Sequence, residues 1–254
     1  MKKAFAITAL ILVFALTGAA FAADTLIGDL LSIGDLPYSP EFSDVLDCTD
    51  DILDEAADLM GEAGVTSLPE SLPFYKAVKV YPCESPRSDK DLEAARSGSA
   101  YLWRMPVARE KGIIWATVAI NDGKVAGYSV DAAEDFSPGR GTYIFDGGMV
   151  EQLLTTFGLE PEDACVYSSD ALSSDFIVFR AKGVSYVIPF SSAPEKLGLE
   201  NAEVYPLSAL FNAADPDASS RITRSPVYYI VAGGVFAAAL TLFLITRKKY
   251  CNIL

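Results

Sequence analysis

Carboxylates are the one chemical resource this chain holds in quantity. Its 254 residues include 34 Asp and Glu, 20 Lys and Arg, and no His. Without His there is no Ser-His-Asp or Cys-His catalysis, no His-bound zinc and no ordinary general base near neutral pH. Two carboxylates can still hydrolyse a glycosidic bond, one as acid and the other as base or nucleophile. A Ser-Lys pair can still attack a carbonyl. Neither leaves a local signature here, and abundance alone does not mark a site. The sequence contains no GxxxxGK[ST] loop, GxGxxG fingerprint, GxSxG elbow or CxxC pair. Asp215-Pro216-Asp217-Ala218-Ser219 begins like a calcium loop. It then has Ser220 where Gly must turn the chain and Pro226 where a bidentate Glu belongs. No catalytic, metal-binding or cofactor-binding residue is therefore assigned, and no cofactor is expected.

Four Cys remain. Cys165, in the apolar run Ala164-Cys165-Val166-Tyr167, reads as a small buried hydrophobe rather than a nucleophile. The best candidates for a disulfide are Cys48 and Cys83, which close a moderate loop; the alternative is that Cys48, Cys83 and Cys165 all stay thiols. That question arises only in an oxidising compartment, and the two ends of the sequence point to one.

Met1-Lys2-Lys3 precedes an apolar run over residues 4–22 that ends in Ala20-Phe21-Ala22. A basic start, an apolar stretch and small residues at the exit are the pattern of a secretory signal, with cleavage expected after Ala22. Residues 227–246 carry no charge and are followed by Arg247-Lys248-Lys249. Twenty residues at ~1.5 Å each cross a hydrocarbon core of ~30 Å. Basic residues stay on the cytoplasmic side. Lys2, Lys3, Arg247, Lys248 and Lys249 therefore predict a single-pass plasma-membrane protein, its body outside and its C-terminus inside. No LPxTG-type motif precedes the span, so it reads as a permanent anchor in the lipid bilayer. Cys251 then falls on the cytoplasmic side, apart from the other three.

The exported part holds all 34 acidic residues but only 15 of the 20 basic ones, a net charge of about −19. Nucleic acid is excluded as a partner, since binding it requires cations that neutralise phosphates. Anionic lipid headgroups are disfavoured for the same reason.

The elements that must position any site follow from periodicity. Ser39-Pro40 opens a helix in which Phe42, Val45, Cys48, Ile52, Ala56, Leu59 and Ala63 form one apolar stripe, with acids on the other face. Residues 74–81 read as a strand and 82–98 as a polar linker. Tyr101, Trp103, Met105 and Val107 alternate on one strand face. Residues 113–120 form a further strand, and Asp122-Gly123 turns the chain into 125–130. A short helix after Gly148 leads to three more strands over 164–167, 176–180 and 184–190, with Lys182-Gly183 turning the last pair. Pro189 marks the last of these as an edge strand, making Val184, Tyr186, Ile188 and Phe190 the expected place for a partner strand. A short strand at Val204-Tyr205 and a helical turn over 207–212 close the domain.

The sequence thus predicts an α+β ectodomain of antiparallel sheet with packed helices, plus one C-terminal transmembrane helix. Its organisation is a signal peptide (1–22), an acidic helical part (23–98), an antiparallel-sheet part (99–214), a stalk (215–226), the span (227–246) and a tail (247–254). The missing catalytic vocabulary favours a non-enzymatic envelope protein that binds a protein or peptide. An envelope hydrolase using carboxylates or Ser-Lys is the alternative, followed by a sensor subunit acting through a partner membrane protein. Oligomeric state is not legible.

Overall fold

A computed structural model describes residues 30–31, 33–134, 139–142 and 147–214. The expected signal segment, stalk, membrane span and tail, with the five basic residues that set the topology, lie outside the described residues. Among those described, no helix is long and apolar enough to cross a membrane.

The chain is α+β. In order it forms α1 (Phe42–Asp47), α2 (Thr49–Ala63), β1 (Val78–Pro82), α3 (Asp89–Ser97), β2 (Ala100–Arg109), β3 (Ile113–Asn121), β4 (Lys124–Ala133) and α4 (Gly147–Thr156). It continues with β5 (Asp163–Ser169), β6 (Ser174–Ala181), β7 (Val184–Ser191), α5 (Pro194–Leu197), β8 (Tyr205–Pro206) and α6 (Leu207–Ala214). The expected stripe is the buried one: Val45, Ile52, Ala56 and Ala63 are each at most 1% exposed. The helix is broken at Cys48, however, into α1 and α2. It ends at Gly64, whose φ of 63° is left-handed, the conformation that closes a helix most easily in glycine. Two hairpins turn as the sequence indicates. Asp122 and Gly123 have φ of 50° and 72°, and Lys182 and Gly183 have 52° and 74°. Two successive positive values match the right-handed twist of the flanking strands.

All eight strands belong to one mixed sheet in the order β4-β3-β2-β1-β5-β6-β7-β8. Every neighbouring pair is antiparallel except β1 and β5, which run parallel at its centre, with Val80 beside Val166. Two four-stranded antiparallel meanders thus meet along one parallel seam. The sheet is therefore not purely antiparallel as the sequence suggested. The division at residue 98 does not coincide with a break, because β1 lies between β2 and β5.

The helices cover the two halves differently. α1 and α2 bury one face of β2–β4, packing on Trp103, Met105, Ala116, Val118 and Val130. On that same face α3, α5 and α6 cover β5–β7 through Leu92, Leu197, Leu207 and Leu210 against Phe176 and Val187. On the opposite face α4 covers only the second half, with Val150 and Leu154 against Val166, Ile177, Phe179 and Ile188. No described helix covers that face of β2–β4, and an open cleft lies there.

Four expectations are corrected. Residues 74–76 form a 3-10 turn before β1 rather than part of a strand. The polar stretch 82–98 contains α3, which contributes one buried residue, Leu92. Cys48, Cys83 and Cys165 are free thiols. Cys48 packs at the α1/α2 core and Cys83 in the cluster beneath α3 and α6, so the bridge is not formed. Finally, β7 is not a free edge. Tyr186 and Val187 pair with β8, the Ala202 N–H donates to the Pro189 carbonyl at 2.9 Å, and the Asn201 amide bonds both backbone groups of Ser191. Ile188 and Phe190 are completely buried, and only Val184 is exposed.

Candidate functional site

The open face of β2–β4 carries a cleft of about 500 Å³. Strand alternation supplies its floor. The residues of β2 between Tyr101, Trp103 and Met105 turn the other way and present Leu102 and Arg104; β3 presents Trp115 and Thr117, and β4 presents Ser129 and Asp131. Ser168, Asp170 and Ser192 wall it on the other half of the sheet, with Glu84 and Arg140 at the rim.

At the bottom of one wall sits Asp175, on β6 and wholly buried. Its oxygens are taken up by donors from distant parts of the chain. The Arg104 guanidinium, 4% exposed on β2, donates to one oxygen. The backbone N–H of Gly141 donates to the same oxygen at 2.9 Å. Arg140 Nε reaches the other at 3.3 Å. Arg104 is fixed in turn by its Nε on Thr117 Oγ1 at 3.1 Å. Arg140 extends the network to Ser168 Oγ at 2.8 Å and to Asp170. Two strands, β1 and β5, lie between those of Arg104 and Asp175, so their pair staples the two meanders across the seam.

Glycine is required at 141 for two reasons. Its φ is 78°, and a β-carbon there would stand 2.8 Å from the Trp115 ring. That close approach lets the 139–142 turn lie on the indole and aim its N–H at Asp175.

A second buried acid lies beneath the opposite face. Glu41, 1% exposed, accepts from Trp103 Nε1 and Tyr101 OH, each at 2.7 Å, on one oxygen. Burial alone raises a carboxyl's pKa, but here the two donors outweigh it and hold the group below its ordinary value of 4.5. Lys79 Nζ lies 3.6 Å above the centre of the Tyr101 ring, and burial lowers its pKa.

None of the three described thiols is set up as a nucleophile. Burial pushes each up, Cys83 to about 11, and nearby carboxylates add to the effect. Cys165 lines a smaller cleft of about 330 Å³ beside α3, where Arg96 pairs with Asp163 at 2.9 Å. Among the described residues, no group of His, Cys, Asp and Glu is placed to hold a metal ion.

The residues singled out from sequence do not converge on the main cleft. The structure brings Arg104 and Arg140 together there instead, both held from beneath by the buried Asp175. The sequence signal for Arg104 was a lone charge in the middle of an apolar strand, between Trp103 and Met105. Asp175 is the matching acid at the head of the apolar run 176–179. No family model, curated protein or solved structure matches the chain.

Proposed function

We propose that the chain is a single-pass, extracytoplasmic binding protein of the cell envelope, tethered by residues 227–246, that captures a protein or peptide partner in the cleft over β2–β4. The observation that carries this reading is a wide polar cleft whose most buried charges are committed to holding the fold. Three donors from the chain occupy Asp175, which commits it to holding the two meanders together. Among the described residues no lysine lines the cleft, so the Ser-Lys version of a hydrolase finds no support there. The acidic surface, about −19 over the exported part, favours a basic partner.

Photo-crosslinking in intact cells tests the reading, using a reactive residue in place of Ser129 on the cleft floor and mass spectrometry of the products. One stoichiometric envelope partner is the expected result; labelling of the cleft by many proteins at trace level argues against capture. The tether has its own test. Removal of residues 227–254 is expected to move the protein from the membrane fraction to the medium or periplasm. A truncated chain that remains with membranes after a carbonate wash excludes the span as its anchor.

A further inference from the structure

We infer that the partner enters as an extended strand added to the free edge of β4, and that this strand carries basic side chains. This rests on the peptide-capture reading above and assigns it a surface and a ligand chemistry.

Of the two ends of the sheet, only one is suited to accept a strand. β8 has two residues, whereas β4 has ten and, among the described residues, pairs on one side only, with β3. Edges are ordinarily blunted by bulges, prolines or charges placed in mid-strand. In β4 the irregularity comes early: Val125 pairs with Ile120 and Gly127 with Ala119, leaving Ala126 as the extra residue. From Gly127 to Ala133 the register is regular, there is no proline, and the one charge is Asp131.

Gly127 itself is informative. Its φ is not in the left-handed range, and a β-carbon there would meet no atom within 4 Å. Neither the backbone nor the packing of the chain calls for glycine. A glycine in a strand marks a bulge or a place where another chain comes close. Gly127 follows the bulge at Ala126, and its missing side chain leaves the cleft face beside the edge open to an incoming strand's side chains.

Charge identifies the partner. Along β4, Ser129 and Asp131 face the cleft; its two arginines, Arg104 and Arg140, are taken up by Asp175 and Asp170, so Asp131 is the charge that β4 itself offers there. Tyr128 faces the other way, 38% exposed, in the field of Asp51 and Glu55 from α2. The edge is acidic above and below the sheet. A strand whose successive side chains alternate between the two faces meets carboxylates on both. On one face a Lys or Arg reaches Asp131, and on the other it reaches the Tyr128 ring and the α2 acids.

The test uses the full chain in neutral phosphatidylcholine nanodiscs, so that the lipid itself does not attract a basic peptide. The probes are fluorescent ten-residue peptides of Val and Thr with Lys at two positions of opposite parity. Three controls accompany them: the same peptide with Glu for Lys, and two peptides N-methylated on the odd or the even backbone amides. The Lys peptide is expected to bind at least about tenfold tighter than the Glu peptide, and one methylated set, but not both, to lose about tenfold. Gly127→Val is expected to weaken binding by a similar factor while raising the unfolding midpoint by about 2 °C, since a β-branched residue suits the strand itself. Equal binding of Lys and Glu peptides, indifference to both methylations, or unchanged binding by Gly127→Val overturns the inference. A full chain that sediments as a dimer, is dissociated by Asp131→Lys and is not competed by peptide also overturns it, in favour of a second copy on the edge. A crosslinked partner whose capture ignores Gly127→Val leaves the binding reading standing and removes strand addition; no partner and no peptide binding removes both.

Discussion

Replacing Asp175 with Asn is expected to destabilise the fold by about 3–5 kcal/mol, read as a shift of the urea or thermal unfolding midpoint. Asp175 is completely buried and Arg104 nearly so, and removing one partner of such a pair leaves a charge to be carried in low dielectric. The substitution keeps shape and volume, so its effect reports charge and hydrogen bonding rather than a cavity. An amide presents one acceptor oxygen where the carboxylate offers two, and here both carboxylate oxygens are engaged. The double variant Arg104→Met with Asp175→Leu is expected to be less destabilised than Asp175→Asn alone, because well-packed apolar residues replace buried ion pairs at little or no cost. Salt separates this pair from a surface one: raising NaCl to about 1 M is expected to leave its contribution nearly intact, since screening acts mainly on exposed charges. A loss below about 1 kcal/mol in Asp175→Asn, or one that salt removes, denies the pair its role as the staple between the two meanders. The consequence reaches the cleft as well. Asp175 holds both Arg140 and the Gly141 N–H, so its loss releases the wall that those residues build before the chain unfolds.

How much of this was legible depended on how far apart in sequence the partners lie. The hairpins at Asp122-Gly123 and Lys182-Gly183 are local events, and their turn residues announced them. The stripe from Phe42 to Ala63 was legible for the same reason, because one helix face is a property of a short window. The seam between β1 and β5 was not. It pairs Val80 with Val166, 86 residues on, and parallel pairing leaves no turn to read. α3 was hidden by its polarity, as a short helix that buries only Leu92 reads as a polar linker. Pro189 misled because it correctly reported a strand near the sheet's margin. The side-chain amide of Asn201 and the two residues of β8 then satisfied that margin, so the available edge moved to β4. For the cleft, alternation in β2 put Tyr101, Trp103 and Met105 on one face and so put Arg104 on the other. A charge at that position required a buried partner, and only the fold identifies it as Asp175.

Glu41 lies outside any pattern the sequence offers, and its substitution is the second large effect expected. Glu41→Leu removes the acceptor for Trp103 Nε1 and Tyr101 OH at once. Hydrogen bonds to a charged group contribute about 1.5–3 kcal/mol each, and a buried donor left unsatisfied adds its own desolvation cost. A loss of about 3–5 kcal/mol follows. Glu41→Gln keeps an oxygen where both donors converge and is expected to cost less, about 1–2 kcal/mol, as charge-assisted bonds become neutral ones. The pH dependence separates charge from shape. The folded chain holds this carboxyl below its ordinary value of 4.5, so the unfolded chain takes up the proton first on acidification. The stabilisation is therefore complete above the unfolded value and disappears as pH falls through the lower folded one. Unfolding midpoints of the parent chain are expected to drop between about pH 5 and pH 3 by more than those of Glu41→Gln, which lacks the titrating group. Trp103 gives a direct view of the same event, since its indole loses a charged acceptor and its emission is expected to shift in that pH window ahead of global unfolding. Parallel acid profiles for the parent and Glu41→Gln would place the acid sensitivity elsewhere among the 34 carboxylates and reduce Glu41 to a neutral packing contact between α1 and β2.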